Sequence, residues 1–355
     1  MIFWTSILSR LTHGLVLISL CFITVAGFAQ EQTRSDGLKK AEAVPINALT
    51  IQEFSWIDKN RARPVLAKLY WPALNDSKSS QPKIPLVIFS HGIWGSKDDY
   101  SYIGRYLAEN SIACLHIQHA GSDSSVWNAS FLQIPQLLYL STRNQEAIHR
   151  AKDFQFALTQ ILQTSPYQEA IDKENIVAAG HSFGANTSML VSGAQVEQDG
   201  SVLSLQDPRV KMAVIISAPP FYGNDNEATQ KILSGIKIPT LHITTSNDKI
   251  RVPGFRSPPQ DRIKIFDNMK NSAKNLVVFN DGPHAVFTDK ASNANPELSS
   301  KIHKASRELI LSFIQNHGQP QLLEKTQTLY SWSLQNSNIL EKTQWSFQKQ
   351  ATAQK

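Results

Sequence analysis

Asn175-Ile-Val-Ala-Ala-Gly-His-Ser-Phe-Gly-Ala-Asn-Thr-Ser-Met-Leu190 is the stretch of this 355-residue chain from which its architecture follows. A short apolar segment of β type, residues 176–179, runs through Gly180-His-Ser-Phe-Gly184 into small and aliphatic residues with helical potential. A strand that turns this abruptly into a helix strains the backbone at the corner and lifts the corner side chain above the sheet. Gly180 and Gly184, flanking Ser182, lack the Cβ atoms that would collide there. Ser182 Oγ would then stand over the start of a helix, where partial positive charge favours an oxyanion. A G-x-S-x-G pattern is short enough to arise by chance as a glycine-rich turn, so the serine needs partners elsewhere in the chain.

A serine hydroxyl is too weakly acidic to attack an ester unaided; it requires a neutral imidazole within reach and a carboxylate to orient that imidazole. Where the nucleophile sits on such a turn, acid and histidine follow it in that order, each at the C-terminal end of a strand. Strand-like residues 238–245 end in Ser246-Asn-Asp248, and residues 275–279 end in Asn280-Asp-Gly-Pro-His284. Asp248 and His284 are therefore the expected acid and base. His91, His116 and His119 precede the serine, His242 lies within a strand, His303 falls on the last long helix, and His181 packs beside the nucleophile. Among the acids, Asp225 is displaced into the loop after Ala218-Pro-Pro-Phe-Tyr-Gly223, and Asp281 is too close in sequence to His284. The oxyanion needs two backbone N–H donors. Phe183, after the nucleophile, offers one; Ile93, in the loop His91-Gly-Ile-Trp94 after the apolar strand 84–90, offers the other. Trp94 is either a substrate-binding pocket wall or ordinary core.

Around this centre, strands and helices alternate. Residues 49–56 and 65–71 read as a hairpin joined at Asp58-Lys-Asn-Arg61, residues 98–109 as an amphipathic helix, and residues 112–117 as a strand. A helix at 145–163 carries the apolar stripe Ile148, Ala151, Leu158 and Ile161. Between 121 and 144 lies a Ser-rich insertion with an apolar patch at 131–140, either a lid or pocket wall or a loop packed on the sheet's edge. The alternation implies a mostly parallel central sheet with helices on both faces and an N-terminal antiparallel hairpin.

The ends of the chain differ in character. Residues 1–29 have a basic start, an apolar run and small residues at the exit, which describes a cleaved signal peptide and an exported, periplasmic or secreted protein. Residues 30–48 read as a flexible lead-in and 49–317 as the catalytic domain. Residues 318–355 are polar and Gln/Ser-rich, read as a tail that is disordered or laid on the surface, without a part in catalysis. Within it Leu323-Glu-Lys-Thr-Gln327 recurs as Leu340-Glu-Lys-Thr-Gln344, two copies being too few for a repeat architecture. Beyond the signal the only cysteine is Cys114, so no internal disulfide forms. The net charge of +6 is spread without a Lys/Arg block, and no motif points to nucleic acid or to a protein partner.

Together, His91-Gly92, the Gly-His-Ser-Phe-Gly elbow, the acid loop at 245–248 and Gly282-Pro-His-Ala-Val-Phe287 resemble the dienelactone-hydrolase-like branch of the α/β-hydrolase superfamily. That branch includes enzymes similar to platelet-activating-factor acetylhydrolase, chlorophyllase and bacterial polyester hydrolases. The resemblance covers residues 49–315 and implies the α/β-hydrolase fold and a Ser182-Asp248-His284 triad. It further implies a serine esterase that acts on a small-molecule or lipid-like ester without metal or cofactor. Serine stands where dienelactone hydrolases proper use cysteine, so lactone specificity is not implied. Ala218 stands where acetylhydrolases of the platelet-activating-factor type place their acid, which favours Asp248. An acyltransferase or peptidase on the same triad, or a non-catalytic binding protein with the same fold, are the alternatives.

Overall fold

The computed structural model of the protein describes residues 49–73, 83–198, 201–221, 225–252, 255–270, 273–290, 295–318 and 325–346. The expected signal peptide, 1–29, and lead-in, 30–48, lie outside them. All described residues fall in one compact unit, Pro45–Lys355.

In chain order, β1 (Thr50–Asp58) and β2 (Arg63–Trp71) form the antiparallel hairpin, followed by β3 (Ile84–Ser90), α1 (Ser101–Glu109) and β4 (Ala113–His119). Next come α2 (Ile134–Ser141), α3 (Asn144–Gln163), β5 (Ile171–His181) and α4 (Phe183–Val191). An antiparallel pair, β6 (Gln195–Gln198) and β7 (Ser201–Ser204), precedes β8 (Met212–Ile216), α5 (Asn226–Leu233) and β9 (Thr240–Thr245). A second pair, β10 (Ile250–Val252) and β11 (Phe255–Ser257), leads to α6 (Gln260–Asn268), β12 (Lys274–Phe279), α7 (Pro296–Gly318), α8 (Lys325–Gln335) and β13 (Leu340–Gln344).

Among the described residues the central sheet has nine strands in the order β1-β2-β4-β3-β5-β8-β9-β12-β13. From β4 to β12 every neighbouring pair is parallel; the hairpin at one edge and β13 at the other run antiparallel. Alternate residues of each strand feed opposite cores, as the period-two pleat requires. Leu86 and Ile88 of β3 pack with α3 and α4 on one face, through Phe154, Leu158, Met189 and Leu190. Val87 and Phe89 pack with α1 and α7 on the other, through Ile103, Leu107, Ile302 and Leu309. The stripe Ile148, Ala151, Leu158 and Ile161 is buried as expected, and Cys114 is a buried free thiol in the second core.

The C-terminal segment departs from the expected surface tail. Its β13 extends the sheet, pairing Leu276 with Gln344 and Phe279 with Leu340. Trp332 and Trp345 are 4% and 1% exposed in the core shared with α7. The Trp332 indole N–H donates to the Ala305 carbonyl at 3.2 Å. Polar composition misled because β13 presents Glu341 and Lys342 to solvent while two tryptophans supply the buried area. The repeated pentapeptide shows that context decides its conformation: Lys325-Thr-Gln327 opens a helix, whereas Lys342-Thr-Gln344 lies in a strand.

Candidate active site

The elbow owes its shape to close backbone packing. A Cβ on Gly184 would overlap the Ser90 and His91 carbonyl groups, and one on Gly180 would overlap the Gly184 carbonyl. Held between β5 and α4, Ser182 adopts φ 55° and ψ −122°, a conformation that costs a non-glycine residue on the order of 1–3 kcal/mol. Its N–H donates to the Ile216 carbonyl of β8 at 2.9 Å, fixing the corner to the neighbouring strand.

Ser182, His284 and Asp248, 102 and 36 residues apart along the chain, lie in one hydrogen-bonded line. Ser182 Oγ is 2.8 Å from His284 Nε2, and His284 Nδ1 is 2.7 Å from Asp248 Oδ1. An ionised carboxylate only accepts, so Nδ1 carries the proton and leaves Nε2 free to take one from the serine. His284 hangs on the turn after β12, where Asp281 and Gly282 both take positive φ. Asp248 is fully buried, and its second oxygen accepts from Thr244 Oγ1 at 2.7 Å. Burial would raise its pKa, but the His284 hydrogen bond, the charge of His284 and Arg262 outweigh it and hold the carboxyl well below the usual range. Arg262 Nε lies 3.7 Å from Asp248 Oδ2.

Two rejected acids have other work. Asp225 caps α5, accepting from the Ala228 N–H at 2.7 Å, and Asp281 accepts from Asn247 Nδ2 at 3.1 Å. His181 does more than pack. A backbone carbonyl only accepts, so His181 Nε2–H donates to His284 O at 3.1 Å, and its Nδ1 accepts from Tyr100 Oη at 2.9 Å. Tyr100 Oη in turn accepts the Gly92 N–H at 3.2 Å. Burial above all pushes the His181 pKa down to about 3, which keeps this chain neutral. It ties the base to the loop bearing Ile93. Neither the Ile93 nor the Phe183 N–H donates to another group among the described residues.

Residues 46–138 match the family described as platelet-activating factor acetylhydrolase, isoform II. Over 276 residues the chain is 31% identical to the platelet-activating factor acetylhydrolase of Bos taurus, covering 66% of this chain and 57% of that protein. A second match, 27% identical over 137 residues, is to the platelet-activating factor acetylhydrolase of Canis lupus familiaris, covering 30% of this chain and 31% of that one. The chain thus spans little more than half of the cattle protein and about a third of the dog protein. Among solved structures, a ferulic acid esterase from Streptomyces cinnamoneus superposes with a TM-score of 0.53 at 18% identity, over 80% of this chain and 94% of that one. The chain has the α/β-hydrolase fold, and its sequence is similar to platelet-activating factor acetylhydrolases.

In this α/β-hydrolase fold the Ser182–His284 pair opens onto a cavity of about 390 Å³ walled by Ile93, Trp94, Pro219, Ile250, Val252 and Phe255. Trp94 therefore lines the cavity, its indole N–H donating to Ser141 Oγ at 2.9 Å. The apolar patch at 131–140, read as a lid or pocket wall or as a loop on the sheet's edge, supplies none of the cavity's lining residues, and Phe131 and Leu132 are each 86% exposed. Their helix, α2, begins only at Ile134, so the two side chains precede it and turn outward. Arg262, Thr244 and Tyr100 carried no signal in the sequence, since each acts through a residue distant along the chain.

Proposed function

We propose that the chain is an exported serine hydrolase that cleaves carboxylic esters through an acyl-enzyme. The observation that carries this reading is the line Ser182–His284–Asp248, with 2.8 and 2.7 Å links, facing an apolar cavity beside two unused N–H groups.

In the reaction, Ser182 Oγ attacks the ester carbonyl carbon while His284 Nε2 takes its proton. The carbonyl oxygen becomes an oxyanion, held by the Ile93 and Phe183 N–H groups; each such donor is worth about 3 kcal/mol. As the intermediate collapses, the C–O bond to the alcohol breaks and His284 returns the proton to the departing oxygen. Water then repeats the sequence on the acyl-enzyme, releasing the acid and restoring Ser182. Asp248, kept ionised by His284 and Arg262, stabilises the imidazolium in both halves. The apolar wall of Ile93, Trp94 and Phe255 suits a small-molecule or lipid-like ester with an apolar acyl group, in keeping with the acetylhydrolase relatives. Export rests on residues 1–29; among the described residues no helix is long and apolar enough to cross a membrane.

Hydrolysis of p-nitrophenyl esters of increasing chain length tests the reading. Wild type turns them over, and Ser182→Ala, with an unchanged circular dichroism spectrum, does not. Turnover near wild type in Ser182→Ala would overturn it.

A further inference from the structure

Arg150 on α3 is wholly buried and lies outside the triad. A buried guanidinium is costly and usually faces a carboxylate. This one makes no ion pair with any of the described acids; Glu146 is reached only through one hydroxyl, that of Ser122. Its donors go instead to the two segments that present the free N–H groups. Nη2 donates to the His91 carbonyl, one peptide before Gly92-Ile93. Nη1 donates to Ser122 Oγ at 2.8 Å, and the Ser122 carbonyl accepts the Trp94 N–H at 2.7 Å. Ile93 is thus flanked on both sides by groups that Arg150 holds. Toward the elbow, Nε donates to Thr187 Oγ1 at 3.1 Å, and that hydroxyl donates to the Phe183 carbonyl at 3.2 Å. The guanidinium also stacks over the Phe183 ring, 4.7 Å from its centroid.

We propose that Arg150 is the positioning residue of the oxyanion hole, one rigid fork that sets the Ile93 and Phe183 N–H groups in register and places a positive charge behind them. The inference rests on the ester-hydrolase reading above. Burial lowers the guanidinium's pKa to about 10, so it stays protonated at neutral pH. A fixed, dry cation beside a site of developing negative charge stabilises the transition state more than the neutral ester. Lysine keeps the charge but cannot reach three acceptors in one plane, so Arg150→Lys is not a conservative change here.

The test compares Arg150→Lys and Arg150→Met with wild type, using p-nitrophenyl acetate, active-site titration and a trifluoromethyl ketone, whose hemiketal with Ser182 carries an oxyanion. Both variants should lose roughly 10²-fold in kcat per titrated site, the scale of a lost oxyanion donor, with KM within about twofold. Affinity for the ketone should fall by a similar factor, while the acid limb of the pH profile stays in place because His284 and Asp248 are untouched. A lower melting temperature with kcat per site and ketone affinity unchanged would mean a purely structural role and overturn the proposal. If neither variant folds, Thr187→Val, which removes one acceptor of the fork at nearly constant volume, should lower kcat several-fold at constant KM; unchanged kcat there overturns it equally. Failure of the underlying reading is distinct, since wild type itself would then show no turnover.

Discussion

The nucleophile elbow and the C-terminal segment belong to the same nine-stranded sheet, one at its middle and one at its edge, and opposite forces hold them. At the elbow, atoms meet so closely that only glycine fits at 180 and 184, and the strain at Ser182 is confined by neighbours on both sides. At the edge, α8 and β13 are stretches of polar residues whose place is set by a few large apolar anchors, Leu329, Trp332 and Trp345, packed against β12 and α7. Local sterics shape the first region; burial against distant residues fixes the second. The first can therefore fail in function while remaining folded, and the second should fail in folding.

The most severe way to break this contrast is to end the chain at Gly318. Removal of β13 exposes the edge of β12 and the cavity left by two tryptophans, so the shortened protein should be insoluble or melt without cooperativity. A soluble, cooperatively melting product would show that the segment merely rests on the surface. At the other pole, Asp248→Asn should still fold cooperatively, with a melting temperature lowered because the buried Arg262 loses its carboxylate, yet kcat of the folded protein should fall by about 10⁴-fold, or about 5.5 kcal/mol of barrier, because the imidazole loses its orienting charge. Near-normal kcat would mean that another carboxylate holds His284. A graded probe of the edge is Trp345→Ala. It should cost about 3–5 kcal/mol in urea unfolding while kcat of the folded fraction is unchanged.

The smallest effect per group comes from pH and separates the two regions again. His91 and His119 have pKa values held well below normal by burial, with nearby arginine charge adding to it. Burial likewise lowers His116 to about 4 and His181 and His242 to about 3. These rings take up protons only on unfolding, so the unfolded state binds more protons and stability falls as pH drops. The loss begins at the unfolded histidine value of about 6.5 and amounts to about 1.4 kcal/mol per pH unit per histidine. Asp248, with its lowered pKa, adds a loss of the same sign as pH falls below its unfolded value of about 3.9. No histidine follows His317, so Trp345→Ala should lower the stability curve without altering its slope between pH 7 and 5. A flat curve for wild type would contradict the burial of neutral histidines.

The same division explains what could be read from the chain alone. Ser182, Phe183, Asp248, His284 and Ile93 each sit in a short contiguous motif at a strand end, where turn chemistry and order suffice to single them out. Asp225 could be set aside because Ala218 and two prolines push it past the strand end, and its side chain proves to cap a helix. Arg262, Tyr100 and Arg150 carry no sign of a part in the site because each matters through a partner far away in sequence: an isolated Arg on a helix has no pattern, and Tyr100, just before α1, reads only as one more apolar position. Phe131 and Leu132 misled in the opposite sense, being apolar yet open to solvent. Trp332 and Trp345 were visible, but a polar setting with two short repeats concealed that they enter the core.

Covalent labelling tests the triad most directly. Wild-type protein treated with a fluorophosphonate and analysed by intact mass and peptide mapping should carry one adduct, on Ser182, with ester turnover lost in proportion to labelling. Ser182→Ala should carry none, and Asp248→Asn should label far more slowly than wild type. An adduct on any other residue, or full ester turnover in a protein that cannot be labelled, would contradict the assignment of Ser182 as the nucleophile.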